Sequence, residues 1–175
     1  MNSSLVLTLV GADRPGLVES IAQLVTTHGG NWLESRMARL GGQFAGIARV
    51  EVPTATESDL RSALAALAAR GLAVGIAFDP AAAAPGATGV PAVLELIGQD
   101  RPGIVHQVTR VLAAHGVNVE ELTTECVSAP MAGGLLFQAK AELRVPLGAD
   151  TAAIRRDLER IAADLMVDLN FREGH

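Results

Sequence analysis

The chain has 175 residues, and its 14 basic and 19 acidic side chains give a net charge of −5 at neutral pH. This balance argues against a basic nucleic-acid-binding domain, because affinity for phosphates rests on an excess of Lys and Arg. A hydrophobic fraction of 49% with only 19% charged residues excludes a disordered chain and predicts a well-buried, folded protein.

An eight-residue segment near the N-terminus returns later in the chain, so the sequence contains an internal repeat. The first copy is Gly11-Ala12-Asp13-Arg14-Pro15-Gly16-Leu17-Val18, and the second is Gly98-Gln99-Asp100-Arg101-Pro102-Gly103-Ile104-Val105. The offset is 87 residues up to Glu34 and Glu121 and becomes 93 from Phe44 and Phe137 onward, so the second copy carries six extra residues between these points. The repeat predicts two domains, 1–78 and 92–175, joined by an Ala, Pro and Gly-rich linker at 79–91.

Each copy begins with a short apolar run, residues 5–10 and 93–97, that predicts a buried strand. An amphipathic helix follows, because apolar residues recur at three- and four-residue spacing. These residues are Leu17, Ile21, Leu24 and Val25 in the first copy and Ile104, Val108, Val111 and Leu112 in the second. Gly29 and Gly116 are expected to end the two helices.

A hairpin comes next, with residues 31–40 and 44–52 flanking Gly41-Gly42 in the first copy. In the second copy we expect a looser hairpin around residues 128–134. A second helix then begins near Thr56 or Asp150, which are capping residue types. Its apolar face is formed by Leu60, Leu64 and Leu67, matched by Ile154, Leu158 and Ile161.

Each copy closes with a strand that alternates large side chains with small or polar ones, residues 72–78 and 167–172. The four phenylalanines fall into repeat pairs, so all of them are predicted to lie in the two cores. The order βαββαβ, present twice, predicts an α+β fold with two ferredoxin-like domains. Each is expected to be a four-stranded antiparallel sheet with two helices on one face.

The repeated Asp-Arg-Pro-Gly turn joins the first strand of each copy to its first helix. Asp13 is expected to cap the helix by accepting from the Gly16 N–H, Pro15 suits the first turn, and Gly16 lets another molecule approach the backbone. Two interpretations are open for this turn. It is either only a well-made helix start, or a carboxylate site formed by the free N–H groups and dipole of the helix.

The remaining candidates for chemistry favour structural roles. Cys126 is the only cysteine, which excludes an internal disulfide or a Cys-x-x-Cys pair, and its apolar-rich strand places it in the core. His28 and His115 precede helix-ending glycines, where they are expected to bond terminal carbonyls. The sequence shows no nucleophile–base pair, metal cluster or phosphate loop. We therefore predict no catalytic residues, no metal and no cofactor, and a protein that is not an enzyme.

The strand, the Gly-x-Asp-Arg-Pro-Gly-[Leu/Ile]-Val turn, the helix and the following Asn31 or Asn118 together resemble the ACT domain family over nearly the whole chain. This resemblance implies allosteric binding of a small molecule, usually an amino acid, between paired ACT domains. The ligand-binding residues it implies are Asp13, Arg14, Pro15, Gly16, Leu17 and Asn31, with Asp100, Arg101, Pro102, Gly103, Ile104 and Asn118. Many amino-acid-binding members have an amide where this chain has an aspartate, which would attract a ligand ammonium and repel its carboxylate.

The first copy also resembles tandem ACT proteins that act as accessory transcriptional repressors, through Glu34-Ser35-Arg36 and Leu40-Gly41-x-x-Phe44. This resemblance implies a sensor of an amino acid, with glycine as the candidate, that acts through a protein partner, a transcription factor, without binding nucleic acid. The alternative is a regulatory subunit that docks on a metabolic enzyme. The apolar run at residues 5–10 is too short for a signal sequence or a membrane span. A cytoplasmic protein is therefore expected. The ACT copies are expected to pair, either within one chain or between chains in a homo-oligomer.

Overall fold

The computed structural model describes residues 1–79, 88–128 and 134–174, and each repeat copy has the element order βαββαβ. The first copy contains β1 (Asn2–Ala12), α1 (Leu17–Thr27), β2 (Asn31–Leu40), β3 (Gln43–Pro53), α2 (Glu57–Ala65), a 3-10 helix (Ala66–Arg70) and β4 (Leu72–Phe78). The second contains β5 (Val90–Gln99), α3 (Ile104–Ala114), β6 (Asn118–Ser128), β7 (Leu135–Val145), α4 (Thr151–Leu165) and β8 (Val167–Glu173).

The chain divides into two compact units, Met1–Pro85 and Gly86–His175. Each unit has one four-stranded antiparallel sheet, with strand order β2-β3-β1-β4 in the first and β6-β7-β5-β8 in the second. The central strands β1 and β3, and likewise β5 and β7, pair along nearly their whole length. The predicted α+β class with two ferredoxin-like domains is confirmed.

Each unit buries its own apolar cluster between the sheet and the two helices. The predicted helix faces are confirmed, since Leu17, Ile21 and Val25 are buried and Leu24 packs against the same cluster. Every predicted apolar position of the first helix in the second unit is buried as well. Because burying one such side chain is worth about 1.5–3 kcal/mol, these faces account for the docking of the helices.

The prediction that all four phenylalanines lie in the cores is wrong for Phe78. Phe137 and Phe171 are buried and Phe44 packs against the first cluster, but Phe78 is 66% exposed. Its ring is contacted by the Arg61 guanidinium, 4.9 Å from the ring centroid. Phe78 pairs with Leu5 at the end of β4, where the second unit has Glu173 opposite Ala92, so Phe78 lies one inward position beyond the place that Phe171 occupies.

The start of the first helix in each unit differs from the prediction. The N-cap residue is Gly16 in α1 and Gly103 in α3, with no side-chain cap, so Asp13 does not cap the helix. Both glycines lie in the left-handed region, with φ of 86° and 92°, which L side chains adopt only at a cost. The glycine is therefore required by the backbone of the turn, whether or not another molecule approaches it.

The two predicted caps of the second helices differ from each other. Asp150 caps α4, because its Oδ1 accepts from the Ala153 N–H at 2.9 Å. Thr56 precedes α2 without capping it. Its hydroxyl donates instead to the His28 carbonyl at 2.7 Å, which ties the end of α1 to the start of α2.

The predicted linker and the second hairpin lie partly outside the described residues, which omit 80–87 and 129–133. At the ends of the linker, Asp79 is buried and its N–H donates to the Ser4 carbonyl at 3.0 Å, while β5 already begins at Val90. The first hairpin is confirmed, with Leu40 and Gln43 as its closing pair around Gly41-Gly42.

The end of α4 offers a test of backbone strain. Met166 has a φ of 55° and is the one non-glycine residue with positive φ in the described part of the chain. A left-handed L residue costs roughly 1–2 kcal/mol, and the 63% exposed side chain recovers little of this by burial. We expect Met166→Gly to raise the free energy of unfolding by about 0.5–1 kcal/mol, after the entropy cost of glycine.

Denaturant unfolding of the full chain measures this difference. The matched control is Gly71→Ala at the corresponding helix end of the first unit, where φ is 78° and a Cβ would meet no atom within 4 Å. That variant should lose about as much stability as Met166→Gly gains. A Met166→Gly protein less stable than the wild type would contradict the strain argument.

Candidate functional site

In the first unit, the carboxylate of the Asp-Arg-Pro-Gly turn is already engaged within the protein. Asp13 Oδ2 lies 2.6 Å from Arg39 Nε, and the Asp13 N–H donates to the Gly42 carbonyl at 2.9 Å. Arg14 donates from Nη2 to the Arg70 carbonyl at 2.6 Å. These bonds fix the turn to the β2–β3 hairpin and to the end of the 3-10 helix, and they neutralise Asp13.

In the second unit, the corresponding carboxylate has a different neighbour. Arg39 pairs with Phe44 across the first hairpin, and Cys126 pairs with Phe137 at the same place in the second. Cys126 thus stands where the first unit has its arginine. None of the ion pairs among the described residues involves Asp100. The second turn therefore keeps a negative charge that the first turn has lost.

Cys126 is exposed on β6, so its predicted place in the core is wrong. The strand is at the edge of the sheet, and residues 120–126 along it are exposed. Desolvation first, and then the charge of Asp100 and a hydrogen bond to it, raise the pKa of the Cys126 thiol. The protonated thiol is a weak nucleophile, which favours a role as a neutral neighbour of Asp100 over a catalytic role.

Both turns place exposed backbone in front of a helix end. Pro15, Gly16, Pro102 and Gly103 are exposed, whereas the first helical side chains, Leu17 and Ile104, are buried. The first intrahelical bonds run from the Ser20 N–H to the Gly16 carbonyl and from the Gln107 N–H to the Gly103 carbonyl, each at 3.0 Å. The N–H groups between each glycine and the first bonded residue have no carbonyl partner within the helix. These are the groups that a helix start offers to an anion.

The second arginine of the repeat also makes a different contact. Arg101 Nη2 lies 4.0 Å from Met166 Sδ, whereas Arg14 holds a carbonyl oxygen. A thioether is a weak acceptor, so Arg101 is held less firmly than Arg14. Both of its neighbours at this end of the unit, Asp100 and Met166, are exposed.

The predicted asparagines do not lie beside these turns within either unit. Asn31 is opposite Glu51, which pairs with Ser4, while the turn follows Ala12 at the other end of β1. Eight residues of strand separate the two levels, on the order of 25 Å at about 3.4 Å per residue. Asn118 lies at the matching far end of the second sheet, opposite Arg144. Neither asparagine reaches the Asp-Arg-Pro-Gly turn of its own unit.

The histidines at the helix ends have structural partners. The prediction for His28 is confirmed, because its Nδ1 forms a hydrogen bond with the Leu24 carbonyl at 2.7 Å. His115 instead donates from Nε2 to Asp157 Oδ2 at 2.9 Å, so the predicted carbonyl bond is wrong for its side chain. This hydrogen bond, with the charges of Arg160, His115 and Arg156, lowers the pKa of Asp157. Three or more metal-ligating side chains do not cluster anywhere in the described residues.

The sequence interpretation missed Arg39, which decides the difference between the two turns. A signal was available, because Arg39 and Cys126 stand at the repeat offset of 87 and differ in charge.

None of the described helices has the length and apolarity needed to span a bilayer.

Comparisons with known proteins agree with this architecture. ACT domain models match residues 3–77 and 92–140. The glycine cleavage system transcriptional repressor of Escherichia coli (strain K12) is 27% identical over 162 residues, covering 92% of this chain and 85% of the relative. The crystal structure of an unknown protein from Galdieria sulphuraria is 30% identical, covers 100% of both chains and has a TM-score of 0.88. A structure described as a candidate glycine cleavage system transcriptional repressor covers 99% of both chains at 22% identity and a TM-score of 0.67, which supports the fold.

Proposed function

The chain belongs to the ACT domain family, and from this premise we propose that it is a non-enzymatic sensor of an amino acid that represses transcription through a protein partner. The observation that carries this proposal is its similarity to the glycine cleavage system transcriptional repressor, which extends over 85% of that relative and includes both ACT domains. The name of the relative makes glycine the first candidate for the ligand and a transcription factor the candidate for the partner.

The ligand-binding turn in this proposal is the one that contains Asp100 and Gly103. The ammonium of an amino acid would bind Asp100, whose charge is not balanced by an ion pair among the described residues. The ligand carboxylate would accept from the N–H groups at the start of α3. The first turn would serve a structural role, because Arg39 already holds Asp13 at 2.6 Å.

The two asparagines lie far from the turns of their own units, so their part in the proposal differs from that of the turns. Since each lies at the far end of its own sheet, Asn31 or Asn118 can contact the ligand only when it belongs to a different ACT domain from the turn. As ligand contacts, both asparagines remain predictions.

The partner-mediated part of the proposal rests on charge. A net charge of −5 works against phosphate binding, and the Arg-rich stretch of α4 includes Asp157, which pairs with Arg160 at 3.1 Å. We therefore expect no submicromolar affinity for duplex DNA at low salt. Tight binding that weakens steeply with added salt would contradict action through a partner.

Calorimetric titration with each amino acid tests the sensing function, with thermal unfolding as a second measurement. A ligand present at 100 times its Kd should stabilise the protein by about 2.7 kcal/mol. Binding of glycine or another amino acid would support the proposal, and no heat and no stabilisation with any of them would overturn it. Co-purification then distinguishes the transcriptional role, which requires a transcription factor, from a regulatory subunit that docks on a metabolic enzyme.

A further inference from the structure

The outer face of the second sheet, on the side away from the helices, is strongly charged. Three rows of outward positions cross its four strands, and seven of these twelve side chains are charged. Five are carboxylates and two are cations, so the face has a net charge of −3 in a chain whose net charge is −5. We call these twelve positions the outer face of sheet 2. Its carboxylates belong to Glu95, Glu121, Glu125, Glu142 and Asp168.

The same positions in the first unit carry far fewer charges. There, only Glu34, Arg36 and Arg49 are charged among the twelve outward residues, and the net charge is positive. The matched registers place Ala73 of the first unit where the second unit has Asp168. Formation of this sheet therefore does not require the carboxylates of the second unit.

The charges of the outer face of sheet 2 are also arranged at a cost to the sheet. Glu121 is directly opposite Glu142 across β6 and β7, and like charges in such a pair are destabilising. Of the two cations, Arg172 is held by Glu95, whereas Lys140 forms no ion pair among the described residues. Local rules of this kind are broken mainly at functional sites.

Three of the carboxylates are available to an incoming cation. Glu125, Glu142 and Asp168 are exposed, and none of them takes part in an ion pair in the described part of the chain. They lie on three different strands, and β6 and β8 are about 14 Å apart at about 4.8 Å per strand. Carboxylates spread in this way do not converge on one ion, in agreement with the absence of a metal-binding group from the described residues.

The shape of the face favours a large partner over a small molecule. Glu125, Lys140 and Asp168 help to line an open hollow of about 450 Å³. Small-molecule sites are concave enough to bury most of their ligand, whereas an open sheet face covers a ligand on one side only. The face therefore suits an extended cationic surface.

The net charge decides which class of macromolecule can bind. An acidic surface repels nucleic acids and anionic membranes, and it attracts a protein surface rich in Lys and Arg. A transcription factor has such a surface, because affinity for DNA phosphates comes from Lys and Arg.

We propose that the outer face of sheet 2 binds a Lys- and Arg-rich surface of the partner protein. The proposal rests on the partner-mediated action described above and names the chemistry of that partner. Cations of the partner lie opposite Glu125, Glu142 and Asp168, where they reduce the repulsion between β6 and β7. Attraction between exposed charges speeds association and weakens as the salt concentration rises.

Fluorescence anisotropy with a labelled peptide of eight arginines tests this face on the full chain. The wild type should bind the peptide at low salt and lose affinity as salt is added. The triple variant Glu125→Gln, Glu142→Gln, Asp168→Asn should raise the Kd about tenfold, because each exposed ion pair contributes a factor of about 1.5 to 5. Circular dichroism verifies that the variant folds.

A matched control removes the same charge from the helices. Asp59 of α2 and Glu159 and Asp164 of α4 are exposed and form no ion pair among the residues that the structure describes. The triple variant Asp59→Asn, Glu159→Gln, Asp164→Asn should change the Kd by about twofold or less, since solvent and salt screen charges that do not touch the peptide.

Three results would overturn the proposal. The first is no binding of the peptide at low salt, and the second is an equal loss of affinity in the two triple variants, which would leave only the net charge as the cause. The third is spermine binding as tightly as the peptide, which would make the face a site for a small polycation. None of them bears on amino-acid binding, which the titrations above test separately. If the face binds the peptide but no transcription factor co-purifies, the transcriptional role fails while the basic partner stands.

Discussion

Replacing Phe171 with alanine is expected to lower the free energy of unfolding of the second unit by about 3–5 kcal/mol, the range for removing a buried aromatic side chain. Phe171 is 1% exposed and belongs to the apolar cluster that joins β8 to α4 and the rest of the sheet. Alanine leaves a cavity there that close-packed neighbours fill only in part. The second unit should therefore unfold well below the temperature at which the wild type does.

Phe78 supplies a contrasting control for this variant. The strand registers make Ile76 the counterpart of Phe171, because Leu7 pairs with Ile76 and Leu94 pairs with Phe171, so the predicted pairing of Phe78 with Phe171 is wrong. With 66% of its surface exposed, Phe78 contributes mainly its contact with Arg61. Phe78→Ala should therefore cost about 1 kcal/mol or less. Scanning calorimetry of both variants measures the difference. Equal losses would show that the two phenylalanines have the same environment, contrary to the structure.

The fold could be predicted from the sequence because the repeat and the hydrophobic periodicity agree. Spacing identified the buried faces of both helices in each unit, and alternation identified the strands. The error at Phe78 shows the limit of this reasoning. Alternation tells which face of a strand a side chain is on, but not which position of one repeat copy matches which position of the other. Phe78 and Glu173 end their strands at matching positions, and Phe171 occupies the place of Ile76.

The turns of the candidate site were found from the sequence, but their partners were not. A strand followed by a helix returns the chain to its starting end, so the beginning of β2 must lie far from the turn after β1. This argument places Asn31 away from Asp13 and was available from the element order alone. The ion pair between Asp13 and Arg39 was not, because it joins side chains from different strands across the end of the sheet.

Cys126 shows a related limit. An apolar-rich segment predicts a strand, and the strand is present, but β6 lies at the edge of its sheet. Most residues of β6 are exposed, whereas the central strands β5 and β7 supply buried residues to the core. Its position in the strand order is a tertiary property that the local sequence does not contain.

The first unit has Arg39 where the second unit has Cys126, and this difference leads to the second large effect that we expect. Cys126→Arg should place a guanidinium beside Asp100, as Arg39 lies beside Asp13 at 2.6 Å. A ligand ammonium would then compete with an internal cation for the same carboxylate. Since a hydrogen bond to a charged group is worth about 1.5–3 kcal/mol, we expect the affinity for the amino acid to fall by roughly 10- to 150-fold.

Calorimetric titration of the wild type and three variants measures this effect, using the amino acid that binds the wild type best. Cys126→Ser keeps a small neutral side chain beside Asp100 and should bind as the wild type does. Arg39→Cys removes the cation from the first turn and should create a second, weaker site, so that the heat indicates more than one bound ligand per chain. Each variant is first shown to be folded by circular dichroism. If Cys126→Arg binds with unchanged affinity, Asp100 does not hold the ammonium, and the turn between β5 and α3 serves only as the start of a helix.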